Sequence, residues 1–131
     1  MESILTSIKK LLGIAESYEQ FDQDIIIHIN TVFTILNQMG VGPKKVFSIT
    51  DKHETWNKFT ENFDEIQSVK TYVYLRTRMI FDPPTSSLVS EAINRNIAEL
   101  EWRLNLSSES RTSEGEEEEE DVQQRTLSPW R

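Results

Sequence analysis

Cysteine is absent from the 131 residues, which excludes disulfides, thiolate metal centres and cysteine nucleophiles. Basic residues are outnumbered, with 14 Lys and Arg against 22 Asp and Glu, for a formal charge of −8 at pH 7. Gripping a phosphate backbone requires the opposite balance, so specific nucleic-acid binding is not expected. No apolar run approaches the roughly 18 residues of a membrane span, and no membrane association is expected. Residues 1–12 carry paired lysines but no sustained apolar stretch and no small-residue cleavage site, so no secretory signal is expected and the cytoplasm is the default compartment. Glycine is scarce, and Gly40 and Gly42 punctuate a helix end rather than build a phosphate-cradling loop.

What is present divides at about residue 106. Residues 1–106 hold nearly all the apolar side chains, with 14 acids and 11 bases. Residues 107–131 hold 8 acids and 3 bases, and only Val122, Leu127 and Trp130 are large and apolar. The expected organisation is a helical core over 1–106 and an acidic C-terminal arm over 107–131. A core of about 100 residues buries only some two thirds of its unfolded surface, so packing against copies of itself or a partner would add to its stability.

The core reads as a small all-α bundle. Ile4, Leu5, Ile8, Leu11 and Leu12 form one helical stripe, with Ser3 as N-cap and Gly13 as the stop. Ser17 and Gln20 have capping-box spacing, predicting a long helix over about 17–40. The isoleucines at 25, 26, 27 and 29 suggest a strand, but the 25-29-32-36 spacing and the terminal Gly40 favour a helix, buried on more than half its circumference. A loop follows, with a short extended piece at Val46–Ile49. Asp51 with Glu54 predicts a short helix carrying Trp56 and Phe59, and Asn62 with Glu65 predicts another over 63–81, stopped by Pro83-Pro84. Thr85 or Ser86 can cap a last helix over 86–106, whose Val89, Ile93, Ile97, Leu100 and Leu104 form a narrow seam.

Catalytic and metal chemistry find no foothold. Asp24 and His28 lie one turn apart but lack a third ligand, and His53 sits in a loop with no nucleophile arranged beside it. The pairs Asp64-Glu65 and Glu99/Glu101 read as helix-start and solvated charges. No catalytic residue, metal or cofactor is expected. Tyr72, Tyr74, Arg76 and Arg78 interleave aromatics with bases, yet helical spacing puts Tyr74 and Arg78 on one side and Tyr72, Arg76 and Met79 on another, which favours core packing plus an interface. Tyr74, Arg76, Arg78, Arg95 and Arg103 are therefore candidates for contacts with a neighbouring subunit.

In the arm, low hydrophobicity and the acidic run Glu116–Asp121 leave little to offset an ordering entropy of about 1–2 kcal/mol per residue. Disorder in isolation and order on a partner are expected, with Arg111, Arg125, Leu127, Trp130 and Arg131 as the anchoring residues.

The stretch Lys70-Thr71-Tyr72-Val73-Tyr74-Leu75-Arg76-Thr77-Arg78-Met79-Ile80-Phe81-Asp82-Pro83-Pro84 is followed by Glu91-Ala92-Ile93 and by Ile97-Ala98-Glu99-Leu100-Glu101-Trp102-Arg103-Leu104. This order resembles the head–tail connector (adaptor) proteins of long-tailed double-stranded DNA phages, over residues 1–106. The long acidic arm departs from the short members of that family. The resemblance implies a virion protein at the head–tail interface, assembled in the host cytoplasm. It implies a homo-oligomeric ring, twelvefold to match the portal protein above it, with a stopper or tail-completion protein docked below and DNA passing through the channel unbound. The alternatives are a stand-alone acidic interaction protein, such as a DNA mimic or small regulator, and a small hydrolase or metal enzyme using His28 or His53.

Overall fold

The computed structural model describes the backbone of residues 2–127 and the side chains of residues 2–108. Five helices follow one another: α1 (Ile4–Leu11), α2 (Asp22–Gln38), α3 (Trp56–Phe59), α4 (Phe63–Phe81) and α5 (Ser87–Leu127). Among the described residues there is no strand, only a single bridge between Ser3 and Thr55 that ties the start of α1 to the turn before α3. The all-α class expected from the periodicity holds. α4 packs against each of the other four helices, with α2 and α5 its most extensive partners, and shares the centre of the bundle with α2.

Local chemistry explains most boundaries. The Ser3 hydroxyl accepts the Thr6 N–H at 3.2 Å, and the Asn62 side chain accepts the Glu65 N–H at 3.1 Å. α4 ends at Asp82, directly before the two prolines, and the Ser86 hydroxyl accepts the Val89 N–H at the head of α5. α2 closes in a Schellman arrangement: Gly40, at φ +79°, donates to the Asn37 carbonyl and Val41 donates to the Leu36 carbonyl. Val41 and Leu36 are both buried, which supplies the apolar contact of that motif.

Two expectations fail locally. α2 starts at Asp22, not near Ser17, and its cap residue Phe21 offers no side-chain bond. The cause is Lys9, buried to 2 % exposure on α1. Its ammonium donates to the carbonyls of Glu16 at 3.1 Å and Tyr18 at 2.7 Å and pairs with Asp22 at 2.8 Å. Those carbonyls are drawn toward the charge and cannot enter a helical ladder, so 13–21 is a loop wrapped on a cation. Likewise Asp51 and Glu54 do not cap α3. Asp51 accepts the His53 N–H and Glu54 accepts from Thr50, which builds a turn ahead of Thr55, the residue that precedes α3. The Val46–Ile49 segment forms no strand. Its end is held instead by Asn30, whose amide donates to the Ile49 carbonyl at 2.9 Å and accepts the Ile49 N–H at 2.7 Å.

The core gathers Ile4, Ile8, Ile25, Ile29, Val32, Phe33, Leu36, Val69, Tyr72 and Val73. Phe33, Phe47, Trp56 and Phe59 pack as an aromatic cluster with centroid separations of 5.0–6.4 Å. The Trp56 indole donates to the Ser7 hydroxyl at 2.8 Å, and Ser7 in turn donates to the Ile4 carbonyl. Gly42, at φ +91°, lies so close to the Phe59 ring that a Cβ would come within 2.4 Å of it.

α5 continues as helix through Leu127, beyond the end near 106 that its seam suggests. Glu, Gln and Arg are good helix formers, and no proline interrupts before Pro129. Ser108 still belongs to the bundle, since its hydroxyl donates to the Gly40 carbonyl at 3.0 Å.

Replacing Lys9 by Met keeps the apolar stem but strands two carbonyls and Asp22. The expected loss is about 2–3 kcal/mol in urea unfolding. A Lys9→Met variant as stable as the parent would contradict the organising role assigned to this ammonium.

Candidate assembly surface

α5 presents two opposite faces, and its rotation about its own axis is set from the α4 side. Ile93, Ile97 and Leu104 are buried and Leu100 half-buried against the core. Between them a polar clamp joins the two helices. The buried Tyr72 hydroxyl donates to the Glu101 carboxylate at 3.1 Å, Arg76 Nε donates to the Tyr72 hydroxyl at 2.8 Å, and Arg76 Nη2 pairs with Glu101. The guanidinium lies 5.5 Å from the Tyr72 ring centroid. Burial pushes the Tyr72 phenol up to about 12, with the nearby Arg76 charge opposing and Glu101 reinforcing that shift. For Arg76, partial burial is the largest single influence and works against the charge, but the hydrogen bonds and charges of Glu101 and Tyr72 together outweigh it and hold the group more firmly protonated than usual.

With the seam inward, the far side of α5 faces solvent. Leu88 is 76 % exposed, Trp102 65 % and Leu106 50 %. Leu88, Arg95 and Trp102 recur every seven residues, so they form one stripe along the helix, about 27 Å long to Leu106 at 1.5 Å per residue. Between Leu88 and Trp102 this face carries the exposed charges Glu91, Arg95 and Glu99, so its apolar surface is confined to the two ends of the stripe. Val89, placed on the seam by its spacing, is exposed instead, because it lies in the first turn, ahead of the buried positions.

A second partly exposed apolar group lies where the loop before α2 meets the end of α4. Tyr18 and Phe21, before α2, stack into Phe81 at the end of α4, with ring centroids 5.5 Å apart at each step, and His28 lies 6.5 Å from Phe81.

The residues singled out from sequence fall in different settings. Arg76 turns inward and finds its carboxylate, Glu101, in its own chain. Arg103 pairs with Glu99 one turn back on the exposed side of α5. Arg78 donates to the Tyr74 hydroxyl at 3.4 Å, and both line a cleft with Leu11, Leu12, Gly13 and Asp82. Arg95 is exposed at the middle of the stripe, with no ion pair among the described residues. Arg111, Arg125, Leu127, Trp130 and Arg131 lie outside the residues whose side chains are described. Asp24 is exposed, and no cluster of three metal-ligating side chains occurs among the described residues. His53 is exposed and pairs with Asp51, whose carboxyl is held below its ordinary range, chiefly by the His53 N–H.

Sequence reasoning missed two groups. Glu101 reads as a solvated charge yet completes the clamp. Leu88 and Trp102, fourteen residues apart, and Leu106, one turn further on, were legible as the helix side opposite the seam.

The clamp also sets a pH dependence. Tyr72 holds its proton more tightly when folded than when unfolded, so its contribution is intact below pH 10 and is lost as pH rises toward about 12. Stability should therefore fall across that window. Tyr72→Phe should cost about 1 kcal/mol near neutrality, since Arg76 and Glu101 still pair, and should flatten the alkaline decline. An equal alkaline slope in parent and variant would contradict the assignment.

No curated protein and no solved structure matches the chain. The phage connector protein family matches residues 4–111, which takes in α1 to α4 and the part of α5 that carries the seam, the clamp and the outward stripe. A match over that much of the sequence decides the family: the chain belongs to the phage connector proteins.

Proposed function

We propose that the protein is a structural head–tail connector subunit, tiling a ring beneath the phage portal, extending the DNA channel and joining capsid to tail. The observation that carries this reading is the family match across the whole helical core. Its role is assembly rather than catalysis, within the virion at the head–tail interface, and the physical features support it. A small bundle with apolar residues left on its outer faces gains stability from head-to-tail neighbours, and such contacts close a ring when their rotation permits. A twelvefold ring matches the portal it meets. An excess of acid over base, −8 over the chain, favours a lumen that repels DNA and lets it pass. A stopper or tail-completion protein then docks on the opposite side of the ring.

The arm is the second part of the proposal. Beyond Ser108 the chain carries the glutamate run and then Leu127, Trp130 and Arg131, a polar lead with apolar anchors at its end. An arm of this kind wraps a partner surface at an entropic cost that the contact must exceed. The portal is the assigned partner, with Arg111, Arg125, Leu127, Trp130 and Arg131 as contact residues.

Deletion of residues 109–131 spares Ser108 and the bundle. The truncated protein loses the helical residues 109–127 but should keep the cooperative unfolding of the bundle, and it should bind portal at least about tenfold more weakly in a sedimentation assay, as expected when anchor residues are removed. Unchanged portal affinity would remove the arm from the interface.

A further inference from the structure

α5 is one continuous helix from Ser87 to Leu127, yet its two parts are stabilised differently. Up to Ser108 it is held by its apolar seam, by the Tyr72–Arg76–Glu101 clamp and by the Ser108 hydroxyl, which donates to the Gly40 carbonyl at 3.0 Å. From Glu109 to Asp121 the sequence carries eight acids against the single base Arg111. Residues three and four apart are neighbours on a helix, which sets Glu114 beside Glu117 and Glu118, Glu116 beside Glu119 and Glu120, and Glu117 beside Glu120 and Asp121. Each of these like-charge pairs opposes the helix, whereas only Arg111 with Glu114 and Asp121 with Arg125 support it. Gly115 weakens the same stretch.

Other features favour the helix and bring the two sides close to balance. Glutamate is intrinsically a good helix former. The turn that ends at Ser108 is already fixed to the bundle, so residues 109–127 propagate an existing helix and need no new nucleus. Small charge effects then decide how far α5 extends. The charges around its root are Asp64 and Glu65 of α4 and Arg103, which line a cleft with Ser107, and Lys44 and Lys45 in the loop after Gly40. Glu116 begins about 12 Å beyond Ser108 along the axis at 1.5 Å per residue, more than the roughly 8 Å over which exposed charges act at physiological salt.

We infer that the part of α5 beyond Ser108 is a charge-gated helix: neutralising the Glu116–Asp121 run lengthens α5, and leaving it ionised shortens it. A helix holds these carboxylates closer together than an extended chain does, so it takes up protons more readily and acid favours it. A partner surface that lengthens α5 must supply positive charge where the run lies. The device operates in the isolated chain, so it stands or falls apart from the connector reading.

The test compares the full-length chain with a variant carrying Glu116→Gln, Glu117→Gln, Glu118→Gln, Glu119→Gln and Glu120→Gln, which keeps helix propensity and removes charge. Backbone carbon chemical shifts at residues 116–121 report helix there independently of the bundle. Between pH 7 and about 4.5, approaching the ordinary glutamate range, the helical fraction of the parent run should rise at least about twofold. Added salt or a short oligolysine at pH 7 should act in the same direction. The variant should already be helical at pH 7 and respond little to all three. Equal helix in parent and variant at pH 7, or a parent run unmoved by acid, would overturn the gating.

Discussion

The rotation of α5 on α4 is the constraint on which the outer surface depends. The apolar seam alone allows some roll, because Ile93, Ile97 and Leu104 define a stripe rather than a point. Three directional bonds remove that freedom. Tyr72 and Arg76 converge on Glu101, and Ser108 reaches the Gly40 carbonyl at the end of α2. A carboxylate placed on a helix face where it must meet both a phenol and a guanidinium has one orientation available. Once Glu101 faces α4, the adjacent Trp102 and the residues seven and fourteen before it, Arg95 and Leu88, must face away. The outward stripe is thus a consequence of the inward clamp.

At the other edge of the bundle a single buried cation plays a comparable part. Lys9 is almost wholly buried and would be costly to bury unpaired. Two backbone carbonyls and the Asp22 carboxylate surround its ammonium, and in doing so they shape the loop that carries Tyr18 and Phe21. The aromatic patch against Phe81 is therefore positioned by an electrostatic interaction beneath it, much as the α5 stripe is positioned by the clamp. Both outer surfaces are aimed by polar groups inside, which gives a small bundle defined faces despite a limited apolar core.

Much of this was legible in the chain and some of it was not, for identifiable reasons. Helices with clear periodicity and strong terminal chemistry, such as Asn62 before α4 and Pro83-Pro84 after it, are specified locally and appear where the pattern puts them. Boundaries set by distant groups are not. Ser17 and Gln20 have the right spacing for a capping box, but Lys9, eight residues earlier and on another element, captures the carbonyls first. The same holds for charges. Arg76 and Glu101 lie 25 residues apart, so no local rule shows that they meet, and both read as surface residues until α4 and α5 are packed together. For the candidate surface, the seven-residue row Leu88, Arg95, Trp102 was available, but the buried seam drew the reading because burial dominates the periodic signal.

The central claim is that this protein acts as a structural connector subunit, assembling into a ring beneath the portal. Electron cryomicroscopy of the protein bound to its portal tests it most directly, because side chains in a symmetric ring can be placed relative to their neighbours. The account expects a closed ring of these subunits seated on the portal, each bundle contacting its two neighbours around the channel. Portal particles that carry no ring of this protein, or only isolated copies without neighbours, would contradict it.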